Sequence, residues 1–286
     1  MSLIVIVGPT ASGKSDFALS LAKKIGGEII SADSRQVYQH LDIGSNKVPG
    51  RWKKKLFVYK NIPHYCIDFA NPKRKFTVVD FKKCAARAIS DIVKGGKIPI
   101  LVGGTGFYIS AVIDDVLIPE VEPNWKLRRT LEKKTAEELF GMLKKLDERR
   151  AKTIEPKNKR RLIRAIEIIK ETGKPVPKIK KKNQESSSST TGDINNPRSW
   201  IIDDTRIIGI MVSGRELKKR IAKRTKQMLK RGLVSEVKKL KKMGLSSKRI
   251  GEFGFEYRLP LLYLEKKITK EELEDALNKE NWRYAK

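Results

Sequence analysis

Five apolar residues run without interruption from Leu3 to Val7, and a glycine-containing stretch follows at once. An apolar run of that length, bounded by turn residues, predicts a strand buried on both faces. Gly8–Ser15 then reads as a loop, and Asp16–Ile25 repeats apolar positions at helical spacing up to the stop signal Gly26-Gly27. The alternation returns further on. Glu28–Ser31 is a short strand pattern, Thr77–Lys94 is a long helix ended by Gly95-Gly96, and Ile98–Val102 is a buried strand followed by Gly103-Gly104. Strands that are apolar throughout and alternate with helices predict an α/β fold with a doubly wound parallel sheet.

Near Pro119 the pattern changes, and from Trp125 to about Lys174 only helical periodicity remains. Residues 178–199 are polar and low in complexity, including Glu185-Ser-Ser-Ser-Ser-Thr-Thr-Gly192, and predict a flexible loop. Arg206–Val212 restores a strand pattern, and Glu216–Met243 is helical with a break at Gly232. The expected organisation is a core made of residues 1–116 and 200–286, interrupted by an all-helical insertion at 117–199. There is no internal repeat.

Charge narrows the partner. Lys and Arg number 63 against 33 acids, a formal net charge of +30 in 286 residues. A solvated surface explains many charges but does not require one sign to win by that margin. Such an excess costs self-repulsion and suits a polyanion: RNA, DNA or an anionic membrane. A general lysine-rich bias is the plain alternative. Cys66 and Cys84 are the only cysteines and His40 and His64 the only histidines, with no CxxC or HxxxH spacing, so no zinc site is expected. Two thiols in a chain of this length suggest a reducing compartment, with Cys84 in a helix facing the core. The first apolar run is too short for a signal peptide and no run reaches spanning length, so a cytoplasmic protein off the membrane is expected; separately, it is expected to be a monomer.

Gly8-Pro-Thr-Ala-Ser-Gly-Lys-Ser15 matches GxxxxGK(S/T) between a predicted strand and a predicted helix, which makes the sheet P-loop NTPase-like. Its glycines let backbone N–H groups face a phosphate, and the helix N-terminus adds partial positive charge. Within it, Gly8, Pro9, Thr10, Ala11, Ser12, Gly13, Lys14 and Ser15 form the expected phosphate site, Lys14 neutralising oxygens and the Ser15 hydroxyl able to ligate Mg²⁺. A phosphate site does not name a reaction. Nucleotide hydrolases add an apolar strand ending in a metal-holding Asp. Ile98–Val102 ends in Gly-Gly, and only Trp200-Ile-Ile-Asp-Asp204 resembles that strand, so hydrolysis is disfavoured while a small-substrate kinase stays open. Asp33, in Ile29-Ile-Ser-Ala-Asp-Ser-Arg-Gln36, falls just past a strand's C-terminal end, where open parallel sheets bind their ligands. Its bland alternative is a turn cap.

At this point the chain resembles the tRNA dimethylallyltransferase (tRNA isopentenyltransferase) family. GPTASGKS, ISADSRQVY, LDIGSNK, PHYCIDFANP, ILVGGTGFY, RRLIRAIEI, TGKP and Gly214-Arg-Glu-Leu217 occur in the family's order and span nearly the whole chain. The resemblance implies transfer of a dimethylallyl group from dimethylallyl diphosphate to N6 of adenosine 37 in the tRNA anticodon loop, with Mg²⁺ and release of pyrophosphate. It makes Asp33 the catalytic base, with Lys14, Thr10 and Arg215 serving the reacting groups. It carries Asp33, Ser34, Arg35 and Gln36 over as contacts to the target loop, Thr105 as a tRNA-side contact, and Arg160, Arg161, Leu162, Ile163 and Arg164 as tRNA contacts. Arg160, Arg161 and Arg164 recur at i, i+1 and i+4, in a stretch (residues 144–182) with 16 Lys/Arg and five acids. A solvated helix face is the bland alternative. A relative acting on free adenine nucleotides is the other prenyl-transferring possibility, against which the net charge and the helical insertion argue. A non-catalytic RNA-binding protein would leave the pairing of Asp33 with the P-loop without a purpose. Family members usually continue past Asn281-Trp-Arg-Tyr-Ala-Lys286, so either part of the RNA clamp is missing here or the sequence is truncated.

Overall fold

The computed structural model of the chain describes residues 2–114, 119, 121–177 and 204–285. The predicted loop at 178–199 lies outside the described residues. The chain forms two compact units, Met1–Asp115 with Ser186–Lys286, and Val116–Glu185.

The first unit is built on a seven-stranded sheet. Its strands in chain order are β1 (Ser2–Val7), β2 (Gly27–Ser31), β3 (Arg51–Lys53), β4 (Leu56–Tyr59), β5 (Ile62–Tyr65), β6 (Ile98–Val102) and β7 (Asp204–Gly209). They lie in the order β3-β4-β5-β2-β6-β1-β7. All neighbours from β5 to β7 pair in parallel, while β3–β4 and β4–β5 pair antiparallel. The buried runs of β1 and β6 sit where their apolar pattern places them, and the short strand pattern at Glu28–Ser31 becomes β2: Val5, Ile6, Ile30, Ile100 and Leu101 are all fully buried. The antiparallel extension β3–β5 was not legible, because these strands have three or four residues each, one is Arg-Trp-Lys, and one contains Pro63. β7 begins earlier and ends earlier than the Arg206–Val212 pattern.

Helices cover the sheet. In this unit α1 is Lys14–Ile25, α2 Val78–Lys94 and α3 Gly106–Ile113. The first two pack on the sheet through Ala18, Leu19 and Ala22 and through Phe81, Ala85, Ala88, Ile89 and Ile92. Thr77 and Asp80 start α2 with a reciprocal capping box. The two thiols expected of a reducing compartment are instead paired: Cys66, just past β5, and Cys84, on the sheet-facing side of α2, form a disulfide with Cα atoms 6.1 Å apart. Five C-terminal helices complete the unit: α8 (Gly214–Lys230), α9 (Leu233–Lys242), α10 (Ser247–Glu252), α11 (Phe255–Leu264) and α12 (Lys270–Ala285). Gly232 separates α8 from α9, as the sequence pattern indicates.

Among its described residues the second unit holds helices and connecting turns but no strand: α4 (Trp125–Glu132), α5 (Ala136–Leu146), α6 (Glu148–Ala151) and α7 (Lys159–Thr172). Its core gathers Leu131, Leu139, Leu143, Leu162, Ile163, Ile166 and Ile169. Among the described residues no helix is long and apolar enough to cross a membrane.

Candidate active site

Three loops leave the C-terminal edge of adjacent strands. β6 lies between β1 and β2, so the P-loop after β1, Gly103–Thr105 after β6 and Asp33–Gln36 after β2 border one crevice. The backbone requires this closeness. Ala32 N–H donates to the Val102 carbonyl at 2.8 Å and Thr105 N–H to the Ala32 carbonyl at 3.1 Å. A Cβ on Gly103 would stand 2.1 Å from the Ala32 oxygen, so only glycine lets β2 and β6 end together here. At the P-loop, Gly13 takes the left-handed conformation at φ 94° directly before α1 and turns the first helical amides towards the crevice.

The cradle carries more positive charge than the motif alone supplies. Lys14 Nζ donates to the Pro9 carbonyl at 2.5 Å. From α8, Arg224 donates to Thr10 Oγ1 at 2.5 Å and Arg220 donates to the Ser12 carbonyl at 3.2 Å. Burial, and then the nearby Arg224, lower the Lys14 ammonium to about 8, while the charge of Asp33 acts in the opposite sense. The Ser12 hydroxyl is buried with no hydrogen-bond partner among the described residues. Three cations crowded on one loop, with an unsatisfied hydroxyl among them, form an electrostatic site for a polyanionic group. Arg220 and Arg224 were not singled out from the sequence. Their i, i+4 spacing on a strongly amphipathic helix was the available signal, since it puts both on one face, but nothing local says that face meets the P-loop. Arg215, which was singled out, sits exposed in the first turn of α8.

Asp33 is held by its own loop. Its Oδ1 accepts from the N–H groups of Arg35 at 2.9 Å and Gln36 at 3.3 Å. Among the described residues no hydrogen bond falls on Oδ2, so one carboxylate oxygen is oriented by backbone amides and the other carries no donor. Ser34 N–H donates to Thr105 Oγ1 at 3.1 Å, which ties the Asp33 and Gly103–Thr105 loops together. The Gln36 amide is fully engaged, accepting from Ser31 at 3.0 Å and donating to the carbonyls of Ser45 and Asn46 at 3.2 and 3.4 Å. Arg35 is paired with the buried carboxylate of Glu256 and lies over the rings of Phe255 and Tyr284. Burial works against the charged form of Arg35, but Glu256 outweighs it and holds the guanidinium above its ordinary range. Arg35 and Gln36 therefore build the loop from within.

A second carboxylate stands behind this loop. Glu236 on α9 accepts from the N–H groups of Asp42, Ile43 and Gly44 at 2.9, 2.7 and 3.0 Å and from the Tyr257 hydroxyl at 3.1 Å. Four donors on one buried carboxylate fix the segment whose carbonyls hold Gln36. Asp204, the nearest match to a metal-holding Asp, pairs in register with Ser2 at the start of β1, so it lies at the opposite edge of the sheet from the P-loop.

Within the helical unit, Arg160 and Arg161 are exposed at the start of α7, whereas Leu162 and Ile163 are core residues. Arg164 is half-buried. It donates to Glu167 at 2.5 Å and to the Val121 carbonyl at 2.9 Å, and Arg128 clamps the same Glu167 with two bonds of 2.7 Å. Burial alone would raise the Glu167 carboxyl; these donors and the Asn124 N–H bring it below the usual range. The face predicted from spacing thus divides into two exposed arginines and one that anchors the fold.

The family model described as IPP transferase matches residues 36–286, and the one described as isopentenyl transferase matches residues 1–55. The chain is similar to the tRNA dimethylallyltransferase of Alkaliphilus oremlandii, at 38% identity over 99% of this chain and 86% of that protein. It is 39% identical to the enzyme of the same name from Acetivibrio thermocellus, over 100% of this chain and 86% of the relative. Among solved structures it resembles the full-length tRNA isopentenylpyrophosphate transferase of Bacillus halodurans (TM-score 0.65, 34% identity, 99% of this chain and 84% of that one). It also resembles a eukaryotic dimethylallyltransferase acting on tRNA (TM-score 0.75, 27% identity, 99% of this chain and 68% of that one).

Proposed function

Because the chain belongs to the tRNA dimethylallyltransferase family, we propose that its crevice transfers a dimethylallyl group from dimethylallyl diphosphate to N6 of adenosine 37 in tRNA. The observation that carries this is the meeting of an anion cradle with an oriented carboxylate at one sheet edge. In this assignment the P-loop amides, Lys14, Arg220 and Arg224 hold the diphosphate, and Arg224 fixes the Thr10 hydroxyl beside it. The N6 lone pair attacks C1 of the prenyl chain, the C1–O bond breaks, and its electrons leave on pyrophosphate. The cations offset the charge that develops there. The open Oδ2 of Asp33 takes the N6 proton. Adenosine 37 is stacked in the anticodon loop and has to be extruded to reach Asp33.

Mg²⁺ fits this site in a limited way. No group of three or more His, Cys, Asp or Glu side chains among the described residues could hold a metal. Ser15, exposed in the first turn of α1, offers one hard oxygen. One protein ligand suits an ion that takes its remaining ligands from phosphate and water and supplies further charge neutralisation to a leaving diphosphate. We place the protein as a monomer in the cytoplasm, where tRNA is found, although the paired cysteines suit an oxidising setting better. Incubation with dimethylallyl diphosphate, Mg²⁺ and total tRNA, followed by mass spectrometry of nucleosides, tests the assignment. Dimethylallyl-adenosine confined to position 37 is the expected product. Unmodified tRNA together with phosphoryl transfer from ATP to a small acceptor would establish the kinase alternative, and prenylation of free nucleotides alone would establish the other.

A further inference from the structure

The antiparallel hairpin β3–β4 has no part in the assignment above. Residues 48–67 contain five Lys/Arg and no acid. All three residues of β3, Arg51, Trp52 and Lys53, are exposed at the sheet edge, and so are Lys54 and Lys55 at its turn.

Register places that turn. Lys53 pairs with Leu56, Phe57 with His64, and His64 with Ile29 of β2. Because β5 runs parallel to β2 and β4 runs back against β5, the Lys54-Lys55 turn projects from the same sheet edge as Asp33. The turn joins the strands two and three spacings from β2, so about 10–14 Å separates the two at ~4.8 Å per strand. Trp52 is 45% exposed, yet its indole is fixed. Its Nε1–H donates to Asp68 at 3.0 Å and its ring meets Phe57 edge-on at 5.9 Å. Asp68 in turn donates its N–H to the Gln36 carbonyl at 2.8 Å and takes Lys47 at 2.7 Å, so the indole is connected to the segment that follows Asp33. Lysines on an edge strand can serve only to prevent edge-to-edge pairing. That role does not call for a half-exposed tryptophan held in one orientation beside them. Cations that track a backbone and an aromatic face on which a base stacks are together the equipment of single-stranded RNA binding.

We propose that the β3–β4 hairpin is a second RNA contact of the core, with Lys53, Lys54 and Lys55 on phosphates and Trp52 stacked on an unpaired base of the same tRNA loop. This rests on the tRNA assignment made above. The test measures tRNA binding by the full chain at several salt concentrations. The variants are Lys53→Ser with Lys54→Asn and Lys55→Ser, and separately Trp52→Leu and Trp52→Phe. Lys54 has φ 54°, which asparagine tolerates, so the triple variant keeps the turn. The triple variant is expected to flatten the plot of log affinity against log salt by about two units, at ~0.7–0.9 per lost phosphate contact. Trp52→Leu should weaken binding roughly tenfold, as for a lost stacked base, and Trp52→Phe should restore most of it. Pyrophosphate affinity should match the parent in all three. Parental slope and affinity for the triple variant would overturn the hairpin contact, and equal loss with Trp52→Leu and Trp52→Phe would overturn the stack. A parent that leaves tRNA unmodified overturns the function instead, and the slopes then still decide whether the hairpin binds RNA.

Discussion

Asp33 combines two properties in one side chain: an oxygen fixed by two backbone amides and an oxygen that carries no hydrogen bond among the described residues. Such a base is oriented before substrate arrives. Asp33→Ala is therefore expected to lower kcat by roughly 10²–10⁴-fold, the usual worth of a positioned proton acceptor, with tRNA affinity nearly unchanged. A variant turning over within threefold of its parent in single-turnover assays would remove Asp33 from the chemistry. Lys14 gives a second test through pH. Its ammonium, lowered to about 8 by burial and by Arg224, is charged below that pH and neutral above it. Pyrophosphate binding should weaken as pH rises through about 8, whereas Lys14→Arg stays charged and should show no such step. The sign for stability is opposite. A lysine that binds its proton less tightly folded than unfolded favours folding more as pH rises between the two values. Melting temperatures of the ligand-free protein, compared with Lys14→Met, should move against the pyrophosphate titration.

At the scale of elements, α8 and α9 finish what the sheet edge begins. α8 delivers Arg220 and Arg224 to the P-loop, one turn apart, while Arg215 remains exposed in its first turn. Arg224→Ala should accordingly reduce the rate of prenyl transfer more than Arg215→Ala, a ranking that single-turnover rates of the two variants decide directly. α9 presents Glu236 to three consecutive backbone amides. Glu236→Ala leaves those buried N–H groups unpaired, at ~1–3 kcal/mol each when no water replaces the acceptor, so a lowered melting temperature and a lowered kcat are expected together. Glu236→Gln keeps one acceptor oxygen and should recover part of both. A Glu236→Ala enzyme with parental kcat would show that Gln36 and its neighbours hold their places without this support.

For the molecule as a whole, the excess of positive charge has a defined use only where side chains are free to meet an anion. Arg164 is committed to Glu167, but Arg160 and Arg161 are exposed. Replacing Arg160 and Arg161 with Ala should weaken tRNA binding and reduce its salt slope by about one to two units, at ~0.7–0.9 per contact, while pyrophosphate binding stays as it was. Identical slopes for parent and variant would make these arginines a solvated face. Arg164→Ala is expected to act differently, lowering the stability of the helical unit by removing one of the two guanidinium partners of the buried Glu167.

What the sequence determined by itself was local in origin. Continuous apolar runs fixed β1 and β6, a short strand pattern marked β2, glycine punctuation ended α1 and α2, and a strand–GxxxxGKS–helix succession fixed the phosphate loop, because each depends on residues only a few positions apart. The placement of Asp33 past β2 was legible for the same reason. Tertiary structure alone decided the rest. It turned Arg35 and Arg164 inward, because each has a buried carboxylate far along the chain or across a helix turn that charge counting does not reveal. It brought Arg220 and Arg224 to the P-loop and Glu236 to residues 42–44 across separations of about two hundred residues. It joined Cys66 to Cys84 by laying α2 against the sheet. Periodicity reports which face of an element is buried; which distant element buries it is settled only when the faces pack.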